Sequence, residues 1–431
     1  MKKPTLLLLM GSLLFIATAK AQSTSNTVLK IDIPENHQFS TERLSRIDKV
    51  IEQYIDSNWI AGAIALVAKD GNIVYYKAAG YNDKENKKLL DKTAIFRIAS
   101  QTKAITSTAI MMLYEEGKLL LDEPISKYIP EFKNPTVLDH FNAVDTTYTT
   151  IPAKREITIR DLLTHTSGIG YAQIGGPTMN AIYYKAAITG GIGLNNGLIL
   201  ANNIKKLAKL PLAHQPGDKF TYGLNTDVLG YLVEILSGSS LDQFFKERIF
   251  EPLGMKDTYF YIPEAKQNRL MVLQTEDKTH HTTKLPLIVQ LNGDCFSNYP
   301  NLNQTYYSGG GGLSSTAYDY SIFMQMLLNG GEYNGKRLLS PATIRMMTTN
   351  QIGELYNNKN KFGLGFELVT EANYGKTPLS LGTFSWGGMF SSSYWIDPKE
   401  KIVAQFVLQV LHNSHGDIAE KFKTLVYQAL Q

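Results

Sequence analysis

Strand-forming sequence is confined to the two ends of this 431-residue chain, and that separation limits the folds open to it. Near the start, Ala61 to Ala68 and Ile73 to Ala79 are apolar runs joined by Lys69-Asp70-Gly71, and an Asp-Gly pair between such runs predicts a tight hairpin. Strand character returns only over Phe362 to Leu368, Gly382 to Trp386, Ser392 to Ile396 and Ile402 to Leu408, the last after a turn at Asp397-Pro398. Helical spacing marks Thr41 to Ile55, Asp227 to Leu236, Leu241 to Phe250, Tyr318 to Leu328 and Ala419 to Leu430, while Glu123 to Glu156 reads as irregular and proline-punctuated. The pattern predicts an α+β fold: one antiparallel sheet built from both chain ends, flanked by helices, with an inserted all-helical domain. The sheet part is expected over about 40–98 and 355–431 and the helical part over about 99–354, with a groove between them.

Ser100-Gln101-Thr102-Lys103 opens an internal helix and is the only Ser-x-x-Lys in the chain. Residues three apart share a helix face, so the Lys103 amine can sit beside the Ser100 hydroxyl. Serine is a poor nucleophile without a base or a positive field for its alkoxide, and a helix N-terminus supplies part of that field. A solvated lysine after a capping serine is the bland alternative. It fits poorly here, because Ala104, Ile105, Ala109, Ile110, Met111, Met112 and Leu113 make the helix apolar nearly all round, as in a buried helix.

Hydrophobic residues make up 43% of the chain, ample for a large core. Lys2 and Lys3 precede an apolar run from Leu6 to Ile16, and Ala19-Lys20-Ala21 offers small residues for a signal peptidase, so residues 1–21 are expected to be a leader cut before Gln22. The run is too short for a spanning helix, and residues 22–39 read as an extended lead-in to a domain over 40–431. Removing the leader deletes three lysines and no acid, lowering the formal charge from +4 to +1. That near-neutral balance gives no argument for nucleic acid or stable membrane insertion. The expected location is the periplasm or the medium. Cys295, the single cysteine, has no internal disulfide partner and reads as packing.

A hydrolase using Ser100 also needs a proton relay to the leaving atom and donors for the oxyanion. Tyr222, after Pro216-Gly217 and just before a helix, is the candidate relay. In Gly382-Thr383-Phe384-Ser385-Trp386-Gly387-Gly388-Met389, paired glycines invite close backbone approach, so the Met389 N–H is a candidate to converge with that of Ser100. Residues 171–202, rich in Gly and Ala, read as an insertion near the cleft. Gly309 to Gly312 mark a sharp backbone turn into the next helix, and no Lys-Ser/Thr follows to make a phosphate loop. Neither a Gly-x-Ser-x-Gly elbow nor a metal-binding His/Cys set is present; His280, His281, His412 and His415 read as solvated and His165 as structural. No cofactor and no metal is expected. Tyr183, Tyr184, Tyr306, Tyr307 and Trp386 hint at an apolar or ring-bearing ligand.

These pieces, with Phe96-Arg97-Ile98-Ala99-Ser100, Leu162-Leu163-Thr164-His165-Thr166-Ser167-Gly168 and Gly310-Gly311-Gly312-Leu313, resemble the serine β-lactamase and penicillin-binding protein superfamily over roughly residues 40 to 430, on its class C branch. The resemblance implies that Ser100 is acylated, that Lys103 and Tyr222 share the proton work, and that the N–H groups of Ser100 and Met389 form the oxyanion hole. Leu224 stands where the family has asparagine, with Asn225 one place later, and Trp386-Gly387-Gly388 replaces Lys-Thr-Gly. The missing lysine removes a charge-assisted contact to a substrate carboxylate, worth about 1.5–3 kcal/mol. The pattern is similar to the family VIII carboxylesterases, with Trp386, Gly387, Gly388 and Asn225 expected at the substrate. The implied substrate is a small ester or amide. A β-lactamase or D-alanyl-D-alanine carboxypeptidase, and a catalytically silent penicillin-recognising sensor, remain open alternatives.

Overall fold

A computed structural model describes residues 28–194, 196–290, 294–356 and 360–431. The expected leader and the first part of the lead-in lie outside the described residues.

The main sheet uses nine strands: β1 (Lys30–Ile31), β2 (Gly62–Lys69), β3 (Asn72–Asp83), β4 (Lys88–Leu89), β5 (Lys361–Phe362), β6 (Glu367–Leu368), β7 (Phe384–Gly388), β8 (Ser392–Asp397) and β9 (Ile402–Val407). Their order is β1-β3-β2-β9-β8-β7-β6-β5, with β4 on β3. The two chain ends meet at the antiparallel pair β2 and β9, from Ile64 opposite Val407 to Lys69 opposite Ile402. Asp70 and Gly71 both take positive φ, 51° and 76°, the backbone that a two-residue hairpin needs. One pair departs from the expected antiparallel pattern: β1 runs parallel to β3, because the chain crosses back through a helix before re-entering the sheet.

Every residue of β2 is buried, since both sheet faces are covered. Ala63, Ala65 and Val67 pack with α1 (Thr41–Asp56) and the C-terminal helix, whereas Ile64, Leu66 and Ala68 face the large core under the internal helices. Through that core runs α2 (Thr102–Glu115), buried from Thr102 to Leu113. Around it lie α3 (Asn225–Ser237) and α4 (Ala317–Leu328), and α5 (Asp417–Gln428) closes the chain on the α1 side.

The inserted part is not all-helical. Among the described residues it carries hairpins at Thr136–Asn142 with Thr147–Pro152, Gln274–Glu276 with Thr282–Lys284, Ile288–Gln290 with Asp294–Phe296, and Glu332–Tyr333 with Lys336–Arg337. The first replaces the expected irregular stretch; it is threonine-rich and largely exposed, so the apolar alternation that marks a half-buried strand is absent. The other strands, two or three residues long, are too short to show a period.

Candidate active site

Ser100 lies in a single 3-10 turn, Ala99–Gln101, that feeds directly into α2. The turn is held from two sides. Ala99 takes a φ of +44°, and the Gly388 end of β7 comes so close that a Cβ at 388 would stand 2.6 Å from the Ile98 carbonyl oxygen. One helical turn on, Lys103 reaches back to put Nζ 3.2 Å from Ser100 Oγ. The Tyr222 hydroxyl lies 2.7 Å from the same oxygen. The Lys103 amine also stands 4.6 Å from the centre of the Tyr222 ring. Two segments distant in sequence, 100–103 and the loop that carries Tyr222, thus meet at one oxygen.

Two partners of Lys103 were not foreseen: its amine donates to the Gly310 carbonyl at 2.6 Å and to the Tyr171 hydroxyl at 3.0 Å. Burial first, then the neighbouring Tyr222 and Asp227, pushes the Tyr171 phenol well above its ordinary range, so it stays neutral. The glycines before Leu313 are needed for closeness rather than for a positive φ. A Cβ at 309 would stand 2.6 Å from the Thr226 carbonyl and one at 310 would stand 2.3 Å from Asp227 Oδ2.

His165 is buried, and its Nδ1 lies 2.9 Å from the Asn225 amide nitrogen. Burial, with the Lys103 charge second, pushes the imidazole well below its usual range, so it is neutral and structural, as expected. Asn225 is itself fully buried, its amide oxygen accepting from Ser167 and its nitrogen within reach of His165 and the Ile169 carbonyl. It closes the loop before α3 and offers substrate nothing.

A cavity of about 200 Å3 opens at Ser100, Tyr222 and Met389. Its walls are Tyr171, Ile174 and Ile192 on one side and Leu273, Leu285, Val289, Phe390 and Leu411 on the other. The second wall is a small apolar cluster of its own that includes Ala99, next to the nucleophile. Cys295 also lines the cavity, its thiol donating to the Ile192 carbonyl at 3.0 Å and pushed up to about 11 by burial, which leaves it a packing residue. The 171–202 segment does border the cleft, through Tyr171, Gln173, Ile174, Gly190 and Ile192.

Trp386, Gly387 and Gly388 are not among the lining residues. Half-buried Trp386 packs beside Tyr222, ring centres 5.6 Å apart, and edge-on to Phe362 at 5.4 Å, contacts that orient the phenol. Tyr183 and Tyr306 are buried with hydroxyls bonded to the Gly170 N–H and the Asn203 amide, and Tyr184 points outward. The cavity is lined by aliphatic and aromatic side chains together, the aromatic ones being Tyr171, Tyr222, Phe296, Tyr299 and Phe390.

The Beta-lactamase family model matches residues 47–428. Protein Rv1367c of Mycobacterium tuberculosis is 34% identical over 376 residues, covering 83% of this chain and 88% of that protein. Esterase EstB of Burkholderia gladioli is 29% identical over 359 residues, covering 82% and 87%. Among solved structures, EstCE1, described as a hydrolase with promiscuous acyltransferase activity, is similar with a TM-score of 0.77 at 28% identity, covering 90% of this chain and 99% of its own. The family match begins in α1 and ends in α5, taking in both halves of the sheet and the site between them, so the chain belongs to the Beta-lactamase family.

Proposed function

We propose that this protein is an exported carboxylesterase that works through an acyl-enzyme on Ser100. The observation that carries the ester reading is the chemistry of the cavity: among the described residues that line it there is no lysine, arginine or carboxylate. β-Lactams and D-alanyl peptides bring a carboxylate to the site, and with His412 the one basic side chain among the described lining residues, burying it is costly. A neutral ester pays no such cost, and the largely apolar walls, aliphatic and aromatic, suit its apolar arm. EstB, named as an esterase, and EstCE1, described as a hydrolase, support the same class.

In this reading Ser100 Oγ attacks the ester carbonyl while its proton passes to the Tyr222–Lys103 pair. The carbonyl oxygen takes up negative charge between the N–H groups of Ser100 and Met389. The C–O bond to the alcohol breaks as Tyr222 returns the proton to the departing oxygen. Water then gives a proton to the Tyr222–Lys103 pair and attacks the acyl carbonyl, and as the acyl C–O bond breaks the pair returns that proton to Ser100 Oγ, releasing the free acid. Export rests on the leader-like residues 1–21.

A parallel assay on a nitrophenyl butyrate, a chromogenic cephalosporin and a D-Ala-D-Ala peptide tests the assignment. The ester is expected to show the highest kcat/KM, by about 10- to 100-fold, the ratio that a lost charge-assisted contact supports. A cephalosporin or peptide turned over faster than the ester would reverse it.

A further inference from the structure

Lys103 is 2% exposed, yet its three hydrogen-bond partners, Ser100 Oγ, the Tyr171 hydroxyl and the Gly310 carbonyl, are all neutral oxygens. Among the described residues it forms no ion pair. Removing an ammonium from water costs several kcal/mol unless an opposite charge is near. The nearest answer to that cost is Asp227, in the first turn of α3 and 0% exposed. Its Oδ1 accepts from the Ser308 hydroxyl at 2.7 Å, while its buried Oδ2 faces Gly310, whose backbone N–H helps hold the carboxylate. The carboxylate is thus held on the Ser308–Gly310 turn, the same turn whose Gly310 carbonyl accepts from Lys103. Gly310 is therefore clamped: its carbonyl holds Lys103, and its Cα lies so near Asp227 that no side chain fits.

We propose that Asp227 is a positioning residue for catalysis, the buried counter-charge of Lys103, which acts on it across the Ser308–Gly310 turn without touching substrate. The other titratable groups facing the pair are Tyr171, Tyr222, Tyr306 and His165. Burial pushes the Tyr171 and Tyr306 phenols up and the His165 imidazole down, so these three carry no charge near neutral pH. Burial pushes the Asp227 carboxyl up as well, against the Ser308 hydrogen bond and the Lys103 charge, which pull it down. One cation and one carboxyl thus balance in a dry cluster. The alternative is that Asp227 merely favours the positive end of α3, a role that moves stability and leaves the pH behaviour of Ser100 untouched.

The inference rests on acylation at Ser100 but not on the choice of substrate, so the readout is the rate of Ser100 modification by a fluorophosphonate across roughly pH 5 to 10. Without the carboxylate the ammonium form of Lys103 is less favoured. In Asp227→Asn the acid limb of the profile is expected to move to lower pH by about one unit, the lower end of what a neighbouring opposite charge does. Thermal melting is followed alongside. An acid limb superimposable on that of the parent protein, with or without a drop in melting temperature, overturns the proposal. Asp227→Ser, smaller and also uncharged, carries the same expectation if the asparagine variant fails to fold. Absence of any labelling in the parent protein is a different result, refuting the acyl-enzyme itself.

Discussion

At the scale of single residues, the Tyr222 hydroxyl lies 2.7 Å from Ser100 Oγ, and in the proposed mechanism it is the group through which the proton leaves Ser100 and returns to the alcohol. Tyr222→Phe deletes that hydroxyl and keeps the ring against Trp386. Steady-state kinetics on the ester should show kcat lowered about 10²–10⁴-fold, the usual worth of a positioned acid–base group, with melting temperature little changed. An unchanged kcat would remove Tyr222 from the mechanism. Ser100 and Lys103 were legible because helix geometry alone fixes a three-residue spacing. Tyr222 was legible from its motif. Tyr171 and Asp227 were not, because only tertiary packing brings their segments to Lys103. Gly310 contributes a carbonyl oxygen, which no side chain advertises. Asn225, expected at the substrate, is instead fully buried against His165, a placement that its position in the motif does not reveal, and Trp386 packs on Tyr222.

At the scale of elements, the site depends on how tightly β7 lies on the turn that carries Ser100. Gly388→Ala would place a methyl 2.6 Å from both the Ile98 carbonyl and Ser392 Oγ, a separation that backbone cannot tolerate without shifting. The strand would be driven off the turn and Met389 carried with it. The expected outcome is a loss of about 10-fold or more in kcat, comparable to misplacing one oxyanion donor, together with a lower melting temperature. Parent-like kinetics and melting would show that the close approach is not what sets the oxyanion hole. Helices with a strong apolar face were found in sequence to within a few residues; the one expected over Thr41 to Ile55, for example, is α1 (Thr41–Asp56), where the Ser40 side chain accepts from the Arg43 N–H. The hairpins of the inserted part were not, and two of them, over 274–296, supply Leu285, Val289 and Cys295 to the cavity. Strands of three residues carry no readable period, so the wall that meets substrate was the least legible part of the chain.

At the scale of the whole molecule, a single sheet shared by both termini explains why three remote segments converge. β2 and β9 zip the chain closed and hold β7 at a fixed distance from α2, while the inserted part brings Tyr171, Tyr222 and Gly310 over the other side of Ser100. This architecture was legible because a fully covered sheet needs near-continuous apolar strands, as in Ala61 to Ala68 and Ile402 to Leu408. The central claim is that this closure turns one serine into a nucleophile. Intact-mass and peptide analysis after treatment with a fluorophosphonate measures it most directly. The account predicts one adduct, on the peptide that contains Ser100, and none in Ser100→Ala. A parent protein that stays unmodified, or an adduct that persists in Ser100→Ala, would contradict it.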